Sequence, residues 1–154
     1  MSITPKQLLE FSQALNTVNA SEVARRCAIG RSYYAAFHLA KEFHATLSQP
    51  GRVVSSRAGV HEKLYQRLEN PTISRADPRH LISRRVAAIA RQIKNARTKA
   101  DYELGQTVDL EMADEAIDHT LKLKALVESH GKATLSALKP LDTHQPSQPH
   151  MLAS

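Results

Sequence analysis

A chain of 154 residues is long enough for one domain with a real hydrophobic core and too short for two of ordinary size. With no Trp, 5% aromatic residues, five Gly and a single Cys, Cys27, the composition excludes a disulfide framework and a cysteine-based zinc finger, and it is that of a helical protein. Twenty-one Lys and Arg against fifteen Asp and Glu leave a net charge of +6, which favours an anionic partner such as nucleic acid.

Taken in chain order, Thr4-Pro5-Lys6-Gln7 reads as a capping box with proline at the first helical position. Leu8, Phe11, Leu15 and Val18 then recur at helical spacing and predict a short first helix with that stripe buried. Asn19 with Glu22 three residues on reads as a second cap, opening a long helix from about residue 20 to about residue 47. Gln49-Pro50-Gly51 and the Ser/Arg-rich segment to Arg57 form a loop, followed by a helix from about Val60 to Glu69 that Asn70-Pro71 ends. Asp77-Pro78 launches a fourth helix to about Lys99, with Ile82, Val86, Ile89, Ile93, Ala96 and Ala100 as its apolar stripe. A fifth begins near Asp109, continues through Leu110, Ala113, Ile117 and Leu121, and frays beyond Gly131.

No segment alternates as a strand does, and no repeat is present. The expected architecture is therefore all-α: an up-and-down helical bundle of four principal helices plus a short N-terminal helix, occupying residues 1–138. Residues 139–154, with three prolines and little to bury, read as a disordered tail. No apolar run approaches a membrane span, and MSITPKQLLE has no basic region followed by a hydrophobic stretch, so a cytoplasmic location is expected.

The charge is unevenly placed. Residues 75–99 carry eight basic residues and one acid, whereas residues 101–118 carry seven acids and no Lys or Arg. One reading sets these blocks side by side on antiparallel helices, so that they answer each other; the other leaves the basic block for a ligand.

On the second helix Ile29, Tyr33, Ala36, Ala40, Phe43 and Leu47 form the core stripe, while Cys27, Arg31, Tyr34 and His38 share the opposite edge. That edge offers a guanidinium for phosphate, a phenol for stacking and an imidazole for proton transfer, or simply packing residues with wet tips. On the fourth helix Arg84 and Arg91, seven residues apart, lie opposite the apolar stripe as a solvated face. Arg97 sits beside that stripe, where it must snorkel or find an anion; Asp101, one turn downstream, is the local candidate.

Arg31-Ser-Tyr-Tyr-Ala-Ala-Phe-His38 and Ala96-Arg97-Thr-Lys-Ala-Asp-Tyr-Glu103, followed by the acidic, Ala-containing helix around Ala113–Ile117, resemble the two signature segments of small stand-alone HEPN (higher eukaryotes and prokaryotes nucleotide-binding) domains. The resemblance spans about residues 5–128. It implies a dimerising helical domain directed at RNA, often paired with a minimal nucleotidyltransferase as a toxin–antitoxin or defence system. Many such proteins are metal-independent endoribonucleases that use an arginine and a histidine a few residues apart. Here Arg97 and the polar Thr98 match, but Tyr102 stands where the histidine is expected. Arg31 and His38 have a comparable spacing on a different helix.

The resulting candidate catalytic set is Arg97, Asp101, Tyr102, Arg31 and His38, with Tyr34, Arg84, Arg91 and Lys94 as RNA or phosphate contacts. Tyr102 is also the tyrosine that a partner nucleotidyltransferase would modify. Alternatives are a non-catalytic nucleotide- or RNA-binding adaptor acting through a homodimer, and a purely structural interaction domain. His44, His61, His80, His119 and His130 lack metal-ligand spacing, and there is no glycine-rich phosphate loop, so no metal and no cofactor is expected.

Overall fold

A computed structural model describes residues 2–137, with side-chain environments through residue 130; the tail expected over 139–154 lies outside the described residues. The chain forms five helices, α1 (Pro5–Leu15), α2 (Glu22–Ala45), α3 (Val60–Glu69), α4 (Pro78–Tyr102) and α5 (Leu110–Ala137), and no strand among the described residues. This is the expected all-α bundle. α2 is its axis, packed against α1, α4 and α5, while α3 leans mainly on α4.

The capping box at α1 is present: the Thr4 hydroxyl accepts from the Gln7 N–H at 3.2 Å and the Gln7 amide oxygen accepts from the Thr4 N–H at 3.0 Å. The buried stripe is not the expected one. Leu9 and Ser12 face inward, whereas Phe11 and Val18 are 55% and 78% exposed. Ser12 decides the rotation, because its hydroxyl donates to the buried Ala28 carbonyl at 2.7 Å and brings α1 against α2 through a polar contact that apolar spacing does not register. The cap of α2 is Ser21, whose side chain accepts from the Ala24 N–H, rather than Asn19.

α2 buries more than one stripe. Alongside Ile29, Tyr33, Ala36, Ala40 and Phe43, the small residues Ala28, Ser32 and Ala35 are fully enclosed, as a helix surrounded on three sides requires. Its seam with α5 is closed by hydroxyls: Ser32 Oγ donates to the Ala116 carbonyl at 3.0 Å and lies 2.6 Å from Thr120 Oγ1, all of them buried. The main core gathers Phe37, Phe43, Tyr65, Leu68, Val86, Ile93 and Leu123.

α4 starts at Asp77, which accepts from the Arg79 N–H, and runs one turn past the expected end to Tyr102. Its turn into α5 is fastened to α2 by Arg26. That guanidinium donates to the Ala100 carbonyl at 2.6 Å, to the Gln106 carbonyl, and to Glu22 at 2.7 and 3.0 Å. Glu22 also accepts from the Val108 N–H at 3.2 Å, and these donors, Arg26 foremost, hold its carboxyl below the usual carboxylate range.

Beyond the Arg97–Asp101 pair within α4, the two charged blocks do not answer each other. Among the described residues, the acids at 109–118 make no ion pair with α4. α4 and α5 meet instead through small apolar residues such as Ala100, Ala113 and Ala116, and Asp109, Glu111, Asp114, Glu115 and Asp118 face outward.

The loop after α2 is anchored to α3. Gly51 has φ +75°, and a Cβ built there would lie 2.2 Å from the Arg67 carbonyl oxygen, so both the backbone conformation and the space demand glycine. The next residue, Arg52, donates its N–H to the Asn70 carbonyl at 2.9 Å, and Gln66 accepts from the Val54 and Ser55 N–H groups. Gly51→Ala is expected to destabilise the fold by about 2 kcal/mol, read as a lowered urea midpoint at unchanged slope. No helix among the described residues is long and apolar enough to cross a membrane.

Candidate functional site

Arg97 lies near the C-terminal end of α4 with its side chain 25% exposed. Its Nε is 2.6 Å from Asp101 Oδ2, an ion pair along the helix whose angle is too poor for a true hydrogen bond and leaves that N–H buried without an aligned acceptor. Two rings complete the seat: the guanidinium carbon is 5.4 Å from the centroid of Tyr33 and 5.0 Å from that of Tyr102. Burial works against the Arg97 charge, but Asp101 and Tyr102 outweigh it, so the group stays charged.

Before Arg97 opens a depression of about 400 Å³ between α2, the start of α3 and the second half of α4, lined by Tyr33, Tyr34, His61, Glu62, Lys94 and Arg97. His61 is the notable member. Its Nδ1 is hydrogen-bonded to the Tyr33 hydroxyl, and its ring stacks on Phe37 at 3.8 Å with planes only 8° apart. The ring is thus fixed in plane and rotation, and Nε2 has no hydrogen-bond partner among the described residues. Burial first, and then the charges of Arg97, His38 and Lys94, push its pKa below the ordinary histidine value, so the imidazole is neutral at pH 7.

Tyr33 is pushed the other way by burial and keeps its proton. Beneath it, the fully buried Tyr65 hydroxyl has no well-formed hydrogen bond but lies close enough for the two phenols to couple, and burial raises it far above an ordinary tyrosine. The expected result of an NMR titration is a His61 midpoint below 6.5 that moves upward in Arg97→Gln, because a nearby positive charge has been removed. A midpoint that stayed put would show that Arg97 does not act on this ring.

The residues singled out from sequence divide clearly. Arg97, Lys94 and Tyr34 line one depression, and Asp101 and Tyr102 hold the Arg97 guanidinium. Arg31 stacks over Tyr34 at 5.6 Å, and the exposed His38 lies edge-on to Phe37 and contributes to the field at His61, so both stand on the same side of the bundle. Arg84 stands apart, at the corner where α3 meets α4.

Arg91 is a correction. It is no part of a solvated face and is not free for phosphate: it bonds to Glu62 at 2.8 Å and to Glu69, and covers the Tyr65 ring at 5.8 Å. The face opposite the apolar stripe of α4 is covered there by α3, a neighbour that the periodicity of α4 alone does not reveal. Lys94 is likewise tied, 2.7 Å from Glu62, and these two cations, Arg91 foremost, hold the Glu62 carboxyl down at about 2.

Sequence reasoning missed His61, Tyr33 and Glu62 as site residues. Tyr33 is both core and wall, and His61 reaches it from a segment 28 residues away. The one local signal was a His-Glu pair opening a short amphipathic helix. In charge the depression is balanced, with Arg97 set against Asp101 and Lys94 against Glu62. The described residues contain no cluster of His, Cys, Asp and Glu that could hold a metal ion. No family model, no curated protein and no solved structure matches this chain.

Proposed function

We propose that this chain is an RNA-directed protein of the HEPN kind, acting in the cytoplasm, with a metal-independent endoribonuclease centre in the Arg97–His61 depression. The observation that carries this reading is a charged guanidinium and a neutral imidazole held in one open depression. The resemblance expects a histidine at position 102; in this reading His61, from the start of α3, takes that part, since it lines the same depression as Arg97.

In the reaction, the RNA 2′-oxygen forms a bond to the adjacent phosphorus as the bond to the 5′-oxygen breaks. With its Nδ1–H donating to the Tyr33 hydroxyl, His61 Nε2 accepts the 2′-hydroxyl proton, and solvent protonates the departing 5′-oxygen, leaving a 2′,3′-cyclic phosphate and a 5′-hydroxyl. Arg97 stabilises the charge that gathers on the phosphoryl oxygens. Tyr33 holds the ring that does the work, and Tyr34, backed by Arg31, gives a base a surface to stack on.

A homodimer and a minimal nucleotidyltransferase partner belong to the same proposal, with Tyr102, 67% exposed, as the side chain such a partner reaches. Tyr102, standing where the resemblance expects a histidine, favours one rival, a non-catalytic RNA- or nucleotide-binding adaptor. Incubation with structured RNA in EDTA separates the two: new 5′-hydroxyl ends support the enzyme, and salt-sensitive binding without cleavage at any protein excess supports the adaptor.

A further inference from the structure

The arginines that the catalytic depression does not use collect elsewhere. Arg52, Arg75, Arg84 and His80 line a depression of about 290 Å³ at the corner where α3 ends and α4 begins. Arg84 also borders the adjoining hollow, together with Arg85. Three separate segments are fixed to make this corner. Gly51 lets the loop lie against the end of α3 and sets Arg52 on Asn70. The buried Ser83 hydroxyl donates to the Leu68 carbonyl at 2.7 Å and locks the start of α4, with Arg84 and Arg85, to the same end of α3. Arg75 comes from the connection between them.

None of Arg52, Arg75, Arg84 and Arg85 makes an ion pair or a side-chain hydrogen bond among the described residues. The carboxylate that lines both hollows, Glu69, is already engaged by Arg91, and Asp77 is taken by Arg79. Four guanidiniums gathered around one carboxylate that Arg91 already engages repel one another, so folding gains nothing from the arrangement; an arriving anion does.

We infer that this corner is a second site, distinct from the Arg97 depression, which grips the phosphodiester backbone of a nucleic acid strand. The choice of nucleic acid rests on the RNA-directed reading above. Guanidinium forks suit phosphate oxygens, and several of them spread over two adjoining hollows suit a chain of phosphates rather than one. The corner also supplies what the depression lacks. The depression has balanced charge and so adds little affinity for a polyanion, whereas the corner carries an unanswered charge. Along α4, Arg84 and Arg97 are thirteen residues apart, about 20 Å at 1.5 Å per residue, a span of about six stacked nucleotides. That is the axial distance, and thirteen residues at about 100° each set the two arginines on different faces of α4, so a strand held at the corner needs at least this length to reach the site of cleavage.

The test measures binding of a fluorescent 12-nucleotide 2′-O-methyl RNA, which this chemistry cannot cut, by anisotropy across a salt series. Arg84→Ser/Arg85→Ser with Arg52→Ser is expected to weaken binding at least about tenfold and to lower the salt slope by about 2, while the control Lys122→Ser, at an exposed position of α5, leaves both nearly unchanged. Arg84→Glu alone gives the same direction and guards against a folding artefact, with the melting temperature of each variant checked. Unchanged affinity in these variants overturns the proposal, and so does displacement of the oligomer by poly-glutamate at equal charge, which makes the corner a site for acidic protein. Displacement by inorganic phosphate at low millimolar concentration also overturns it, in favour of a free-anion site. Oligomer binding through the corner with no cleavage of ordinary RNA sinks the ribonuclease reading alone; wild-type protein that binds no RNA sinks both.

Discussion

Arg97→Ala is expected to lower RNA cleavage in EDTA by about 10²- to 10³-fold, the usual loss when one preorganised donor to a developing oxyanion is removed. The guanidinium is held by Asp101 and by the faces of Tyr33 and Tyr102, so it needs little reorganisation when charge builds on the phosphate. Because the cluster at the α3–α4 corner is untouched, the loss should fall on kcat rather than KM. Arg97→Lys keeps the charge but not the planar fork, and should recover only a small part of the rate. Melting temperature guards against misfolding, since Arg97 also covers Tyr33. Full activity in the alanine variant with the fold intact would remove Arg97 from the chemistry and end the proposed mechanism.

The largest expected loss of stability is at Arg26, whose side chain is 13% exposed. Arg26→Ala strands the Ala100 and Gln106 carbonyls and takes from Glu22 its main partner, all at the turn that joins α4 to α5. Unpairing partly buried polar groups of this kind costs about 3 kcal/mol in sum, about 10 °C in melting temperature for a domain of this size. Glu22→Gln removes one acceptor's charge while keeping an oxygen there, and should cost clearly less. Equal losses in the two variants would mean that the ion pair matters and the carbonyl contacts do not.

Much of the bundle was legible in the sequence, because caps and helical spacing are local. Thr4 and Asp77 begin their helices as expected, and Val60–Glu69 forms the short helix that Asn70-Pro71 was expected to end. Two of the failures share one cause. Phe11 was misplaced because a serine, Ser12, docks α1 on Ala28, and Arg91 because α3 folds back over the face of α4 that counting from Ile82 to Ala100 leaves outside. Each depends on a contact from a distant segment.

The candidate site follows the same rule. Arg97, Asp101 and Tyr102 lie within two turns of one helix and were found together; the ring that faces them, His61, comes from a helix whose own pattern says nothing of chemistry.

The pairing of Arg97 with Asp101 and of Lys94 with Glu62 has one more consequence. A cell holds abundant ATP and other free nucleotides, and a pocket of bare cations would fill with them and stall. On the proposed ribonuclease reading, such metabolites would find no surplus attraction here, and a severed product would lose its hold once it parted from a strand tethered at the far end of α4. The pairing would thereby spare the protein both metabolite blockade and clogging by its own products.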